Sequence, residues 1–182
     1  MPWDSALPFG MRDTKVTPYT NSLLTTLGTG TDVPNARTLS FSESEDYEEL
    51  RGDDKVISIV GKGPSVEWEM ESGGISVPAY KNMNGGTTTT TGTTPAQVTT
   101  YTKKVTDARP YFKAEGQSIS DSGGDFHVNL YRSRASGSVE GELGDGAFWL
   151  TSASGVALPA LLTGKVDVLY EFVLNETAVA PT

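Results

Sequence analysis

The sequence predicts a mainly β protein, a sandwich or barrel of roughly seven to nine short strands. Three observations point there. Twenty glycines and ten prolines punctuate 182 residues of which only 36% are hydrophobic, a composition that favours short strands and many turns over long helices. Several segments alternate apolar and polar residues strictly, the period of a strand with one buried face. Clusters of turn residues separate those segments. The length fits one domain, 1–182, with a core of useful size and extensions around it.

The first segment, 1–35, carries Pro2, Pro8, Pro18 and Pro34 with Gly10, Gly28 and Gly30, which break any long regular element. It reads as an N-terminal arm, ordered either against a neighbouring molecule or on the surface of its own domain. Within it, 15–19 and 22–27 are long enough to add edge strands. Residues 36–42 alternate, with Leu39 and Phe41 on one face, and form a strand. Seven acids then fall within 43–55, namely Glu43, Glu45, Asp46, Glu48, Glu49, Asp53 and Asp54, relieved only by Arg51 and Lys55. This is a long, charged β-loop.

Residues 55–62 (KVISIVGK) are a β-branched run, and 65–72 set Val66, Trp68 and Met70 against Glu67, Glu69 and Glu71. Gly61, Gly63 and Pro64 between the two runs supply turn residues, so the runs are expected to pair as a hairpin. The three glutamates share one face about 6.6 Å apart. Their repulsion is tolerable only where water or counter-ions reach them, so that face must be wet.

One helix is expected, over 75–86: Ser76 can cap it, Pro78 is allowed in its first turn, Ile75 can pack on Tyr80, and Gly85 stops it. Ala79, Tyr80 and Met83 repeat at helical spacing, so one face can lie on a sheet. The threonine-rich GTTTTTGTTPAQ that follows has nothing to bury and reads as a mobile loop or a hairpin tip. Strands follow at 98–105, at 111–119 and 125–131 around the turn SDSGG, at 147–153 after GELGDG, and at 165–174. In 125–131 Phe126, Val128 and Leu130 alternate with polar residues. The tail 175–182 (NETAVAPT) reads as a C-terminal arm.

A net charge of −9 and a pI near 4.6 argue against a protein that grips phosphates, since such grip comes from clustered Lys and Arg. Without cysteine there is no disulfide, thiolate metal site or thiol catalysis. The N-terminus lacks a basic-then-apolar order, and the longest apolar stretch, GVALPALL, is too short to span a bilayer, so neither a signal peptide nor membrane insertion is expected.

No catalytic constellation emerges, and neither an enzyme nor a bound cofactor or metal is expected. The one histidine, His127, has Asp125 and Asn129 on its strand face about 6.6 Å away, a spacing that reads as wrong for a triad and fits a plain polar strand position. Glu67 and Glu69 have a spacing seen in glycosidases, but three equivalent exposed acids do not supply two different environments. The acidic loop lacks the ligand pattern of a dedicated calcium site. Arg51-Gly52-Asp53 and Asn175-Glu176-Thr177 match three-residue recognition motifs that arise by chance. GKGPS opens no helix and is no phosphate loop.

Several blocks in order, PFGMRDTKVTPYT, NARTLSFSESEDYEELRGDDKV, GPSVEWEMESGGISVPAYKNMNGG, ARPYFKAEGQSISDSGGDFHV and DGAFWLTSASGVALP, resemble the major tail tube protein of long-tailed, non-contractile bacteriophages, especially those of actinobacterial hosts. EELRGDDKV and RPYF are the most telling. The resemblance implies a phage tail-tube β-sandwich or barrel with one flanking α-helix, a long β-loop and extended N- and C-terminal arms. It implies hexameric rings that join their inner sheets around a lumen and stack into a hollow tube. It further implies a structural protein of the virion tail, assembled in the host cytoplasm, that conducts the genome during ejection. Its implied partners are further copies of itself, the tape-measure protein, the tail terminator and the distal tail or baseplate proteins, with DNA passing through the lumen without specific binding.

On that reading Glu67, Glu69 and Glu71 are expected to face the lumen or line a solvent-filled groove near it, because each lumen cation would release counter-ions from DNA and add affinity. Glu43, Glu45, Asp46, Glu48, Glu49, Arg51, Asp53 and Asp54 are expected at the contact between rings, matched by Arg132 and Arg134 or by Lys103 and Lys104. The alternatives are another virion β-sandwich, such as a tail terminator or capsid decoration protein, and a carbohydrate-binding or adhesin module.

Overall fold

All strand pairs are antiparallel in the computed structural model, which describes residues 5–142 and 144–182. The strands are β1 (Pro8–Pro18), β2 (Thr31–Asp32), β3 (Ala36–Gly52), β4 (Lys55–Gly73), β5 (Thr87–Thr91), β6 (Val98–Thr102), β7 (Phe112–Ser120), β8 (Asp125–Gly141), β9 (Leu150–Leu158) and β10 (Glu171–Asn175). One helix, α1 (Val77–Asn84), lies between β4 and β5. The main sheet runs β2-β1-β7-β8-β9-β4-β3, while β5 and β6 form a separate hairpin. Strand β8 is long enough to serve two neighbours on one edge: β10 pairs with Asp125 to Asn129, and β9 takes over from Arg132 onward.

The sheet rolls until β3 returns against β1 without hydrogen-bonding to it. Leu39 of β3 lies over Gly116 of β7, where even a Cβ would meet the Leu39 side chain at 2.6 Å. Val16, Val66, Trp68, Met70, Phe112 and Leu130 fill the interior, with the Trp68 and Phe112 rings edge to face at 5.7 Å. Across from Trp68, β9 offers Ala153, Gly155 and Ala157 as its inward residues. Small residues there are required by the indole: a Cβ on Gly155 would meet Trp68 Cζ2 at 2.7 Å and the Arg134 carbonyl at 2.1 Å.

Helix α1 forms for the reasons the sequence offers and is shorter than 75–86. Ser76 caps it, accepting from the Ala79 N–H, Pro78 sits in the first turn, and Gly85 ends it at φ 75°. Ala79 and Met83 are buried. Ile75 stays exposed, however, and Tyr80 packs edge-on against Tyr101 at 5.0 Å. The threonine-rich stretch is β5, paired residue by residue with β6, and is the hairpin of the two expected alternatives.

Several boundaries differ from expectation, among them β8, which runs on to Gly141, and β9, which spans Leu150–Leu158 in place of 147–153; three differences change the architecture. Residues 55–62 and 65–72 do not pair with each other; they are one strand, β4, paired with β3 along its length and with β9 from Val66 onward. The turn sits instead at Asp53 and Asp54, with φ of 49° and 60°, the left-handed pair that a two-residue hairpin needs. Gly63 at φ 92° and Pro64 mark an irregularity within β4, a role glycine also fills at bulges. Second, β1 is no free arm: it pairs with β7 from Pro8 to Pro18 and contributes the fully buried Val16. Of the expected arm, β2 (Thr31–Asp32) also joins the sheet, 22–27 form no strand, and Met1, Pro2, Trp3 and Asp4 lie outside the described residues, as does Leu143 of GELGDG. Third, only Glu171–Asn175 of the expected strand 165–174 is extended, because Asp167 turns back at φ 62°. No helix among the described residues is long and apolar enough to cross a membrane.

Candidate functional site

Strand β4 positions the three glutamates as its alternation requires. Val66, Trp68 and Met70 are at most 3% exposed, and Glu67, Glu69 and Glu71 take the other face. The register surrounds them with short polar side chains. Ser42, Ser40 and Thr38 lie opposite on β3, and Val156, Ser154 and Ser152 on β9. A column of acids therefore runs between two columns of mostly hydroxyl residues. Arg37 bridges Glu71 at 2.9 Å. On β8, Arg134 extends the Glu67 row and Glu140 the Glu71 row, so this face is predominantly, not uniformly, acidic.

Beyond Ser42 and Val66 the two strands continue as a ribbon, 43–65, that has left the sheet. From Glu43 to Leu50 and from Lys55 to Pro64 every residue is exposed. The acids expected at an interface lie here, but they are strand residues of a ribbon and not of a loop, since β-branched residues on β4 zip against them. Several are satisfied locally: Glu48 by Lys62 at 3.1 Å, Glu49 by Arg51 at 2.7 Å, Glu45 by the Tyr47 hydroxyl and Glu43 by the Tyr170 hydroxyl. Asp46, Asp53 and Asp54 have no cation within 4 Å among the described residues. The ribbon's apolar side chains are not satisfied. Tyr47, Leu50, Ile57, Ile59 and Val60 are 57 to 66% exposed.

The expected basic counterparts differ in availability. Lys103 Nζ donates to the Asn84 carbonyl at the end of α1 and to the Asp107 carbonyl in its own loop. Arg132 and Arg134 both stack on Tyr111, their guanidinium carbons 5.1 and 5.2 Å from the ring centroid, and neither bridges an acid among the described residues.

A second constellation went unnoticed in the sequence. On β7 and β8, Glu115, Gln117, Asp125, His127 and Asn129 form a polar strip that is at most 6% exposed. His127 Nδ1 lies 2.8 Å from Glu115 and Nε2 2.9 Å from Asp125. The expectation that its strand neighbours stand too far away is corrected here: the backbone spacing holds, but the side chains lean along the strand and close the gap. Both ring nitrogens end on carboxylates, which leaves none for a nucleophile. Lys113 Nζ holds the other Glu115 oxygen at 2.5 Å, and Asp125 also accepts from Gln117 and Asn175.

Burial opposes charge on all three groups, and the hydrogen bonds win. Burial would lower the His127 pKa, but the bonds to Glu115 and Asp125 raise it. Burial would raise Asp125, yet donation from His127, Gln117, the Val179 N–H and Asn175 brings it down to about 2. Glu115 is lowered in the same way by Lys113 and His127. The lid over the strip is the tail, which was expected to extend away as an arm. Val179 N donates to Asp125 at 2.8 Å and Thr182 N to Glu115 at 3.2 Å. The alternation DFHVN had marked Asp125, His127 and Asn129 for solvent. Pairing with the complementary KAEGQ across the SDSGG turn was the available signal that their charges meet.

Among the described residues no cluster of three or more His, Asp or Glu side chains is placed to hold a metal. In comparison with known proteins, no family model matches this chain, and no curated protein matches it either.

Proposed function

We propose that this chain is the repeating subunit of a hollow tube, the tail tube of a long-tailed phage, in which rings of copies stack and the face bearing Glu67, Glu69 and Glu71 lines the channel. The observation that carries the reading is the ribbon 43–65. A two-stranded ribbon alone in water is marginal at best, and this one keeps six large apolar side chains exposed, Val56 with the five above. Such a surface fits a site of association. A ribbon built into every copy suits a contact that recurs from ring to ring, as an open-ended assembly requires. The wet acid-and-serine face supports the same reading, since a conduit must not hold the polymer it conducts.

The test is electron microscopy of the purified protein, where uniform hollow filaments are expected. Replacing 46–63 by Asn-Gly joins Glu45 to Pro64, which are already register partners, and so spares the sheet. That variant should give folded monomers or single rings. Full-length filaments from it would remove the ribbon from the stacking contact, and the absence of any filament or ring from the wild-type chain over a range of concentration and salt would remove the tube.

A further inference from the structure

The polar strip holds the tail in an unusual way: nearly every bond goes to the tail's backbone. Asp125 accepts from the Val179 N–H, and Gln117 Nε2 donates to the Val179 carbonyl at 2.9 Å. Lys15 Nζ donates to the Pro181 carbonyl at 2.6 Å, Glu115 accepts from the Thr182 N–H, and Lys113 Nζ donates to Thr182 Oγ1 at 3.3 Å. Pro181 is buried beneath these contacts. The strip thus reads an extended segment through its peptide groups. Both carboxylates that receive the tail's N–H groups are also the two partners of His127.

That shared attachment couples the tail to one proton. With the imidazole cationic, each ring nitrogen donates and both carboxylates stand where the tail needs them. With it neutral, one nitrogen turns a lone pair toward a carboxylate 2.8 or 2.9 Å away, so that carboxylate loses its imidazole donor, meets lone pair against lone pair, and must withdraw. The charged groups around the imidazole are few: Lys15 on β1, Lys113 and Glu115 on β7, and Asp125 beside it on β8. Tyr131 on β8 with Lys165 and Glu171 completes the rim. The tail contributes no side-chain charge over 179–182. Among the described residues nothing else there titrates near neutrality.

We propose that residues 179–182 are a releasable strap, locked on the β7–β8 strip while His127 is protonated and freed when it loses its proton. The lock does not depend on the tube reading and operates in the single chain. The raised His127 pKa places release on the alkaline side of an ordinary histidine.

Because the chain has a single histidine, its imidazole gives one NMR titration curve. Expected for the full chain are rigid Val179 and Thr182 amides at pH 6, by heteronuclear NOE, that become mobile at higher pH with the midpoint of the imidazole curve. An imidazole that titrates while the strap stays rigid, or a strap that loosens at an unrelated pH, overturns the proposal. His127→Gln should abolish the pH step in strap order, and a step retained at the same midpoint would refute the lock. A chain shortened to end at Ala178 gives a second readout that survives poor folding of the histidine variant. Coupling is reciprocal, so losing a strap that prefers the protonated state must move the His127 midpoint down, and an unmoved midpoint overturns the proposal.

Discussion

Asp125 is fully buried and accepts four hydrogen bonds, from Gln117, His127, Asn175 and the Val179 N–H, at 2.6, 2.9, 2.8 and 2.8 Å. Asp125→Ala leaves the Nε2–H of a buried imidazolium and three other donors without this acceptor, so we expect a loss of about 3–5 kcal/mol in denaturant unfolding. The same residue shapes the acid limb of stability. Its pKa falls from 3.8 to about 2 on folding, so its stabilisation of about 2 kcal/mol is complete above about pH 4 and disappears as pH falls toward 2. His127 works in the opposite sense. Its pKa is raised on folding, so its contribution is complete below about pH 6.5 and is lost as pH rises through the folded value. The thermal midpoint should therefore peak between about pH 4 and 6.5. His127→Gln should flatten the alkaline limb by calorimetry, and a limb unchanged in that variant would place the titrating group elsewhere.

Single elements carry their own constraints. Gly155 is the point where β9 passes the Trp68 indole, so Gly155→Ala must push either the Arg134 carbonyl or the ring, at about 2–3 kcal/mol by chemical denaturation. At the ribbon tip the constraint is conformational, since Asp53 and Asp54 both hold positive φ at a cost near 1 kcal/mol each. Asp54→Gly should relieve part of that cost and slow amide exchange at ribbon positions such as Leu50 and Val56 by about two- to five-fold. Faster exchange would mean that the Asp54 side chain stabilises the turn. These elements also mark what was legible in the sequence. Alternation placed Val66, Trp68 and Met70 inward, and capping placed α1 to within two residues of each end. The turn was misplaced because Gly61, Gly63 and Pro64 carry stronger turn propensity than Asp53 and Asp54. What decided between them was the register of β3 on β4, a long-range pairing that no local window contains. The polar strip was illegible for a related reason: alternation tells two faces apart, but not that a segment some fifty residues later will cover the polar one.

At the scale of the whole molecule the two surfaces occupy connected parts of the same strands. The acid column and the ribbon are successive stretches of β3 and β4, so docking the ribbon fixes the orientation of the column relative to the neighbouring copy. A ring of such subunits would present Glu67, Glu69 and Glu71 repeatedly, with Arg37 neutralising part of the outermost row and Arg134 held toward Tyr111 at one end. Screening over about 8 Å at physiological salt confines the repulsion to a layer near the wall, which leaves a duplex centred and free to move. Replacing all three glutamates by lysine preserves the strand's alternation and touches no core residue, so folding and filament formation should persist. The channel's sign should reverse. Three new cations per chain, repeated around a ring, exceed the roughly six to ten phosphate contacts that already give strong, salt-dependent DNA binding. Filaments of the triple variant should therefore retain DNA at 50 mM salt and release it as salt rises, while wild-type filaments retain none. Equal retention by the two, in filaments of the same width and length, would put this face on the outside of the tube and leave the lining to another part of the rolled sheet.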